Sequence, residues 1–583
     1  MAETIISPGV FQRENDISFI TPAPVEVGAA IIGPTVKGPV EIPTTVTSYN
    51  QYVRLFGDVF ENGTAKDEYF TSIAAKNYFS QGGNTLLVTR VVTGSYTSAA
   101  NTHISASDKG ATQPFTIKTI GQGTIYNNLS SSDGTYDGAI DENSLDASLV
   151  SGSADSIRWE ISNISNAKGT FTLSVRRGND NKNQKVVLET FNNLSLDPNS
   201  ENYVAKAIGT QYKTQSGGEI TVNGEFTNKS NYIYVSAVNL KTLNYLGNDG
   251  STVGVDSGGT SYSASLPIAE SGSFYNATGT QKASGSMNLY GNINGTDSQG
   301  LTSGNYSDVI TLLENSDDYK FNIISAPGIT NTHHGTTVDS LISLAETRGD
   351  CIAVVDLVGY GSNVSAVNTQ AADLNSSYAA SYWPWLQTSS GTGKNIWIPA
   401  SVVIPGVYSF TDNSSAPWFA PAGLVRGGLV GVIQAEKKLS KANRDSLYDN
   451  KVNPIATFPG TGLAVFGQKT LQTKASALDR VNVRRLLIEL KEFVGNQAQN
   501  LVFEQNTIAT RNRFLSAVNP YLDSVVQRQG LYAYRVVMDD SNNTAEVVDR
   551  NQLVGQIFIQ PARTAEFIVL DFVVEPTGAT FGQ

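Results

Sequence analysis

The chain has 583 residues, of which 40% are apolar and 16% charged, and its net charge is −12. That length accommodates several domains with ample core. An acidic chain with no Lys/Arg cluster is a poor match for a phosphate backbone or an anionic membrane surface, so direct binding to either is excluded as an expectation.

The N-terminal MAETIISPGV has no basic segment followed by a long apolar one, and no uninterrupted apolar run reaches membrane-spanning length. A soluble, cytosol-made chain is expected. Residues 1–20 read as an arm, with Ile5, Ile6, Val10 and Phe11 set around Pro8-Gly9. The arm is too short to bury those side chains by itself.

Residues 21–95 read as mixed α/β. A strand is expected around Val27–Ile32, followed by helices at SYNQYVRLFG and EYFTSIAAKNYFSQGG and a strand at TLLVTRVV. Residues 96–305 change character. Ser, Thr, Asn, Gly and Asp dominate, and alternating pieces such as GTFTLSVRRG and NYIYVSAV are separated by polar turns. This is a β-rich insertion, in one or two subdomains. From residue 306 the α/β order returns, with strands at YKFNIISAPGI and DCIAVVDLV and helices at TVDSLISLAETRG and SAVNTQAADLNSSYAASYW. Strands alternating with helices on both sides of an insertion predict one discontinuous domain, 21–95 with 306–470.

Residues 471–583 read as a separate unit. DRVNVRRLLIELKEFVGNQAQNLVFEQN is one long amphipathic helix, with Val483, Leu486, Leu487, Leu490, Phe493/Val494 and Leu501 as its stripe. A second helix with Phe514, Val518, Leu522 and Val525 inward ends at Gly530, and Pro520 lies within it. Strands at LYAYRVVMD, LVGQIFIQP and EFIVLDFVVEP follow. The last has two apolar faces: Ile568, Leu570, Phe572 and Val574 on one, and Phe567, Val569 and Val573 on the other, with Asp571 among them. Such a strand needs cover on both sides. The fold class is therefore mixed α/β, multidomain: a discontinuous α/β core, a β-rich insertion, and a C-terminal pair of helices over a small sheet.

No catalytic constellation emerges. His333 and His334 are adjacent and point apart, and His103 lies in the polar insertion. VGYGSNV lacks the third glycine of a dinucleotide loop and any Gly-Lys-Ser/Thr, and GTGLAVFG fails likewise. The chain is not expected to be an enzyme and is expected to use no cofactor or metal. Cys351, the only cysteine, lies in CIAVVDL and reads as a buried small residue. Trp383, Trp385, Trp397 and Trp418 fall close together with prolines, and a rigid core cluster or a subunit contact is preferred to a ligand groove.

Several segments in register carry a resemblance. SPGVFQRE, YFSQGGNTLLVTRVV, NIISAPGIT, YAASYWPWLQ, IPASVVIPGVYSFTD, APWFAPAGLVRGGL, KVNPIATFPGTGLAVFGQKTL, DRVNVRRLLIELKEFV, GLYAYRVVMDDSNNT, VVDRNQLVGQIFIQPARTAEFIVLDFV and PTGATF resemble the tail sheath proteins of contractile-tailed bacteriophages. The resemblance covers roughly 1–95 and 306–583. One departure is FGQKTL, where the family often has an arginine in place of Gln468 or Lys469.

The resemblance implies a mechanical subunit. Such subunits stack as six-fold rings around a tail tube, are held in a metastable extended state, and contract on a baseplate signal to drive the tube through the host envelope and deliver the genome. The implied partners are copies of the chain itself, the tube protein, and baseplate and terminator proteins; direct nucleic-acid binding and direct membrane insertion are not expected. The implied location is the virion tail, assembled in the host cytoplasm. The sheath of an R-type bacteriocin or an extracellular contractile injection system is the neighbouring reading, and a β-rich adhesin or receptor-binding protein a remoter one.

Sheet edges are adhesive, and the family completes its C-terminal sheet with arms from neighbouring subunits. Ile5, Ile6, Val10 and Phe11, with Phe567, Ile568, Val569, Leu570, Phe572, Val573 and Val574, are therefore expected to form an inter-subunit strand mesh. Arg480, Arg484, Arg485, Glu489, Lys491 and Glu492 are read as a mixed-charge polar face of the long helix, for which a weak contact with the tube and a merely solvated surface are the two readings.

Overall fold

The computed structural model describes residues 28–62, 65–101, 104, 106, 113–126, 153–254, 262–279, 289–291, 293–460 and 462–567. The expected arm at residues 1–20, with Ile5, Ile6, Val10 and Phe11, lies outside the described residues, as do His103 and all of the terminal strand beyond Phe567.

One eight-stranded sheet organises the α/β part. Its strands in chain order are β1 (Ala29–Gly33), β2 (Thr44–Val46), β3 (Leu86–Arg90), β4 (Ile323–Thr330), β5 (Ile352–Asp356), β6 (Ala379–Trp383), β7 (Val452–Phe458) and β8 (Gly462–Val465). Across the sheet the order is β2-β3-β1-β4-β5-β6-β7-β8. The six inner strands are parallel, and β2 and β8 close the two edges antiparallel. Strands from before and after the insertion thus lie side by side, with β1 next to β4.

The inner strands are apolar throughout because both faces are covered. Successive residues point to opposite faces. Ala30, Ile32, Ile324, Ala353 and Val355 enter one core, beneath the helix α2 (Asn331–Arg348). Ala29, Ile31, Ile323, Ile352 and Val354 enter the other, beneath α1 (Phe70–Ser80) and α3 (Ile404–Ser414). Truncating Ile31 or Ile352 to alanine would cost about 2–5 kcal/mol. Cys351 is buried one residue before β5.

Two expectations are corrected here. The stretch SAVNTQAADLNSSYAASYW is not one helix. Its helix covers Val364–Ala372, and Ala379–Trp383 is strand β6, buried at every position. A helical period had been read into a run that a parallel sheet buries on both faces. The tryptophans are also not one cluster. Trp383 and Trp385 pack on opposite sides of the central sheet, Trp397 is half-buried beside Tyr360, and Trp418 belongs to the C-terminal core.

The described part of 96–305 forms two four-stranded antiparallel sheets around one core. The first joins Val187–Ser195, Thr170–Arg177, Ile157–Ser165 and Glu270–Gly272; the second joins Ile233–Val238, Phe115–Gln122, Ser98–Asn101 and Phe274–Tyr275. Trp159, Phe115, Phe171 and Phe274 fill the space between them. Arg90, at the end of β3, ties the insertion to the α/β sheet. Its guanidinium is buried and donates to the Gly38 carbonyl at 2.7 Å and the Gln122 carbonyl at 3.0 Å.

Candidate functional site: the C-terminal helix pair and its open sheet

The helices α4 (Val481–Gln499) and α5 (Ile508–Gln527) pack antiparallel on a two-stranded sheet of Leu531–Val537 and Gln556–Pro561. Leu486, Leu490, Phe514, Val518, Leu522 and Val525 form the core with Trp418, and Tyr534, Val536, Ile557 and Ile559 cover it from the sheet. Thr507 caps α5 by accepting the Thr510 amide. The long helix is shorter than its pattern predicts. It ends at Gln499, and Leu501–Asn506 form a turn in which Phe503 has φ 69°.

The sheet has only two strands, so each keeps one edge unpaired among the described residues. Two strands alone are marginal in water. Tyr532 and Phe558 are exposed on this sheet, and Val502, Phe503 and Ile508 are exposed at the tip of the helix pair. Neither patch was singled out from sequence. The signal available was Val502-Phe503 lying past the last full turn of the helix.

The chain beyond Pro561 is tied back to the α/β part at Glu566. Arg480, the residue preceding α4, donates Nε to Glu566 Oε1 at 2.8 Å and a terminal nitrogen to Oε2 at 3.1 Å. Tyr448 donates to Oε2 at 2.8 Å, and Gln468 donates to Oε1 at 2.9 Å. Burial alone would raise the Glu566 carboxyl, but the hydrogen bonds from Arg480, Gln468 and Tyr448 outweigh it and hold the group below its ordinary value. Gln468, noted above as a departure from the family pattern, thus binds within its own chain. Lys469 donates to the Tyr448 carbonyl at 2.7 Å. Phe567 is exposed, and Ile568, Val569, Leu570, Phe572, Val573 and Val574 lie outside the described residues.

The charged face expected on α4 is corrected for two of its members. Arg484 and Arg485 are buried. Arg484 donates to the Ser377 carbonyl and hydroxyl and stacks 3.9 Å from the Tyr378 ring. Arg485 meets Asp412 at 2.6 Å and lies over Tyr408. The first half of α4 is wedged between the α/β domain and α5, so even its polar side turns inward, where long cationic stems pack and pair. Lys491 is exposed but donates to the Tyr378 hydroxyl at 2.9 Å. Glu489 and Glu492 are half-buried and line a cleft of about 450 Å³ with Lys320 and Arg348.

Among the described residues no group of three or more His, Cys, Asp or Glu side chains could hold a metal ion. His334 is buried, accepting the Thr330 amide at Nδ1, with Nε2 3.0 Å from the Asn294 carbonyl. Gly361, in the loop that imitates a phosphate site, donates its amide to Glu436.

Residues 299–471 match the family model for the phage tail sheath protein central domain, and residues 473–575 match that for the phage tail sheath C-terminal domain. The chain is homologous to the phage tail sheath proteins. It is 36% identical over 236 residues to a tail sheath protein of Vibrio phage KVP40, covering 40% of this chain and 35% of that one. It is 34% identical over 270 residues to the tail sheath protein of Enterobacteria phage T4, covering 42% and 40%. The matches therefore span well under half of these relatives' lengths. A crystal structure of a sheath tail protein from Listeria innocua shares the fold at a TM-score of 0.52, with 9% identity over 92% of this chain and 95% of that one.

Proposed function

We propose that the chain is the repeating subunit of a contractile tail sheath, stacked in six-fold rings around a tail tube in a virion. Contraction from a metastable extended lattice would then drive the tube through the host envelope. The observation that carries this reading is the pair of family matches at 299–471 and 473–575, the second of which includes a two-stranded sheet whose outer edges are unpaired among the described residues.

In this reading the open sheet is a socket. Strand addition takes its affinity from main-chain hydrogen bonds and its register from alternate side chains. Ile5, Ile6, Val10 and Phe11 of one copy and Phe567–Val574 of another supply the added strands. The clamp at Glu566 fixes the point from which the terminal segment sets out. The tube side is assigned to the C-terminal unit, at Glu489, Lys491 and Glu492 and at the apolar tip of Val502 and Phe503. The assembled partners are the tube, baseplate and terminator proteins, and assembly takes place in the host cytoplasm.

Co-expression with the tube protein tests the tube side. Phe503→Asp should leave sheath rings intact by electron microscopy while the tube no longer co-purifies. Tube retained at wild-type yield would remove the tip from the contact.

A further inference from the structure

The insertion and the α/β domain enclose a second groove, of about 680 Å³, far from the C-terminal sheet in sequence. This lies within the roughly 300–1,000 Å³ of small-ligand sites. Its walls come from the helix Tyr49–Phe56, the strands Phe115–Gln122 and Ile233–Val238, and the hairpin of Tyr212–Ser216 and Glu219–Asn223.

Among the described residues three cations line it, Arg54, Lys118 and Lys213, and no carboxylate does. In a chain with 52 acidic and 40 basic residues, three cations on the described lining of one groove are a local reversal of charge. Glu189 stands behind this wall, accepting from the hydroxyl of Ser230 at 2.6 Å and the amide of Asn231 at 2.9 Å, two of the lining residues, whose donors satisfy it there.

The groove is also aromatic. Tyr212 is 42% exposed, and its ring stacks on Tyr234 with centroids 5.1 Å apart and planes 23° from parallel. Tyr234 is buried and its hydroxyl is hydrogen-bonded with Ser98. Tyr234 therefore holds Tyr212 in place with one face free, so little side-chain freedom is lost when a ligand lies on it. Amides and hydroxyls of Gln211, Thr214 and Thr227 complete the wall.

We propose that this groove binds an acidic oligosaccharide, its carboxylates met by Arg54, Lys118 and Lys213 and one sugar ring laid on Tyr212. Charge-assisted hydrogen bonds supply the preference for carboxylate. The flat ring and the surrounding hydroxyl and amide groups favour a sugar over an acidic peptide, which has no rigid flat face to offer.

Isothermal titration of the unassembled full chain tests this with three probes: a tetramer of galacturonic acid, neutral maltotetraose and a deca-glutamate peptide. The galacturonate tetramer is expected to bind and to weaken with added salt, while maltotetraose does not bind. Tyr212→Ala and Lys213→Gln, both at exposed side chains, are each expected to lower affinity by about tenfold with unchanged melting curves. No binding of the acidic sugar, equal binding of the neutral one, or wild-type affinity in both variants would overturn the proposal. So would deca-glutamate binding as tightly and indifferent to Tyr212→Ala, which would mark a site for an acidic segment of another chain. The assay needs no assembled sheath, so its failure and that of the sheath reading are separable.

Discussion

Asp356 is a carboxyl that the fold holds away from water. It ends β5 and accepts from the Ser401 hydroxyl at 2.5 Å and the Ser401 amide at 3.2 Å. Burial outweighs both bonds and pushes its pKa up to about 7. The native state then binds a proton that the unfolded chain, with a pKa of about 3.9, has released. Stability should fall as pH rises from about 4 to about 7 and then level off. Asp356→Asn is predicted to flatten that slope in thermal melts and to melt above wild type at pH 8. Arg485 bears on a buried pair instead, since burial raises the Asp412 carboxyl while the Arg485 charge beside it pulls the other way. Arg485→Ala would strand Asp412 in a buried site and is predicted to cost about 3 kcal/mol in urea unfolding. A loss below about 0.5 kcal/mol would mean that the pair is exposed in solution. The sequence placed Arg484 and Arg485 on a polar face. Nothing in a helical period reveals that a helix is wedged between two units and buried on more than one side, so the burial of these two residues was not legible.

At the scale of elements, the parallel strands and the helix pair were readable because long apolar runs and clean periods belong to them. β6 was not, because a strand buried on both faces shows no alternation, and the short polar break 373–378 was read through as helix. The open sheet edges were not readable either: a strand's pairing count is a tertiary property. Two predictions belong here. Phe558→Lys, at an exposed strand position, should change monomer stability by less than about 0.5 kcal/mol yet shorten or abolish polymers seen by electron microscopy, since edge lysines discourage strand addition. Wild-type polymers would show that this strand is not the socket. Glu566 should report on the clamp. Its depressed pKa means that its contribution is complete above the ordinary carboxylate value of about 4.3 and is lost as pH falls through the lower folded value. Hydrogen exchange at 562–567 is predicted to be slow at neutral pH, to accelerate as pH drops below about 4 once intrinsic exchange is corrected for, and to be fast at every pH in Glu566→Ala.

For the whole molecule, two different surfaces divide the work. The central sheet has both faces covered, and its fold was legible because its two halves, though separated by some two hundred residues, repeat the same strand–helix grammar. Among the described residues the C-terminal unit leaves sheet edges and an apolar tip uncovered, which in an isolated chain is a liability and in a polymer would be a joint. The central claim is that residues at the two ends of the chain join copies by strand addition. It is tested most directly by electron microscopy of the chain co-expressed with its tube protein, full-length and lacking residues 1–18. The account predicts hollow striated tubes with six subunits per ring from the full chain, and only monomers of unchanged melting temperature from the truncated one. Normal tubes from the truncated chain, or monomers alone from the full chain beside its tube, would contradict it.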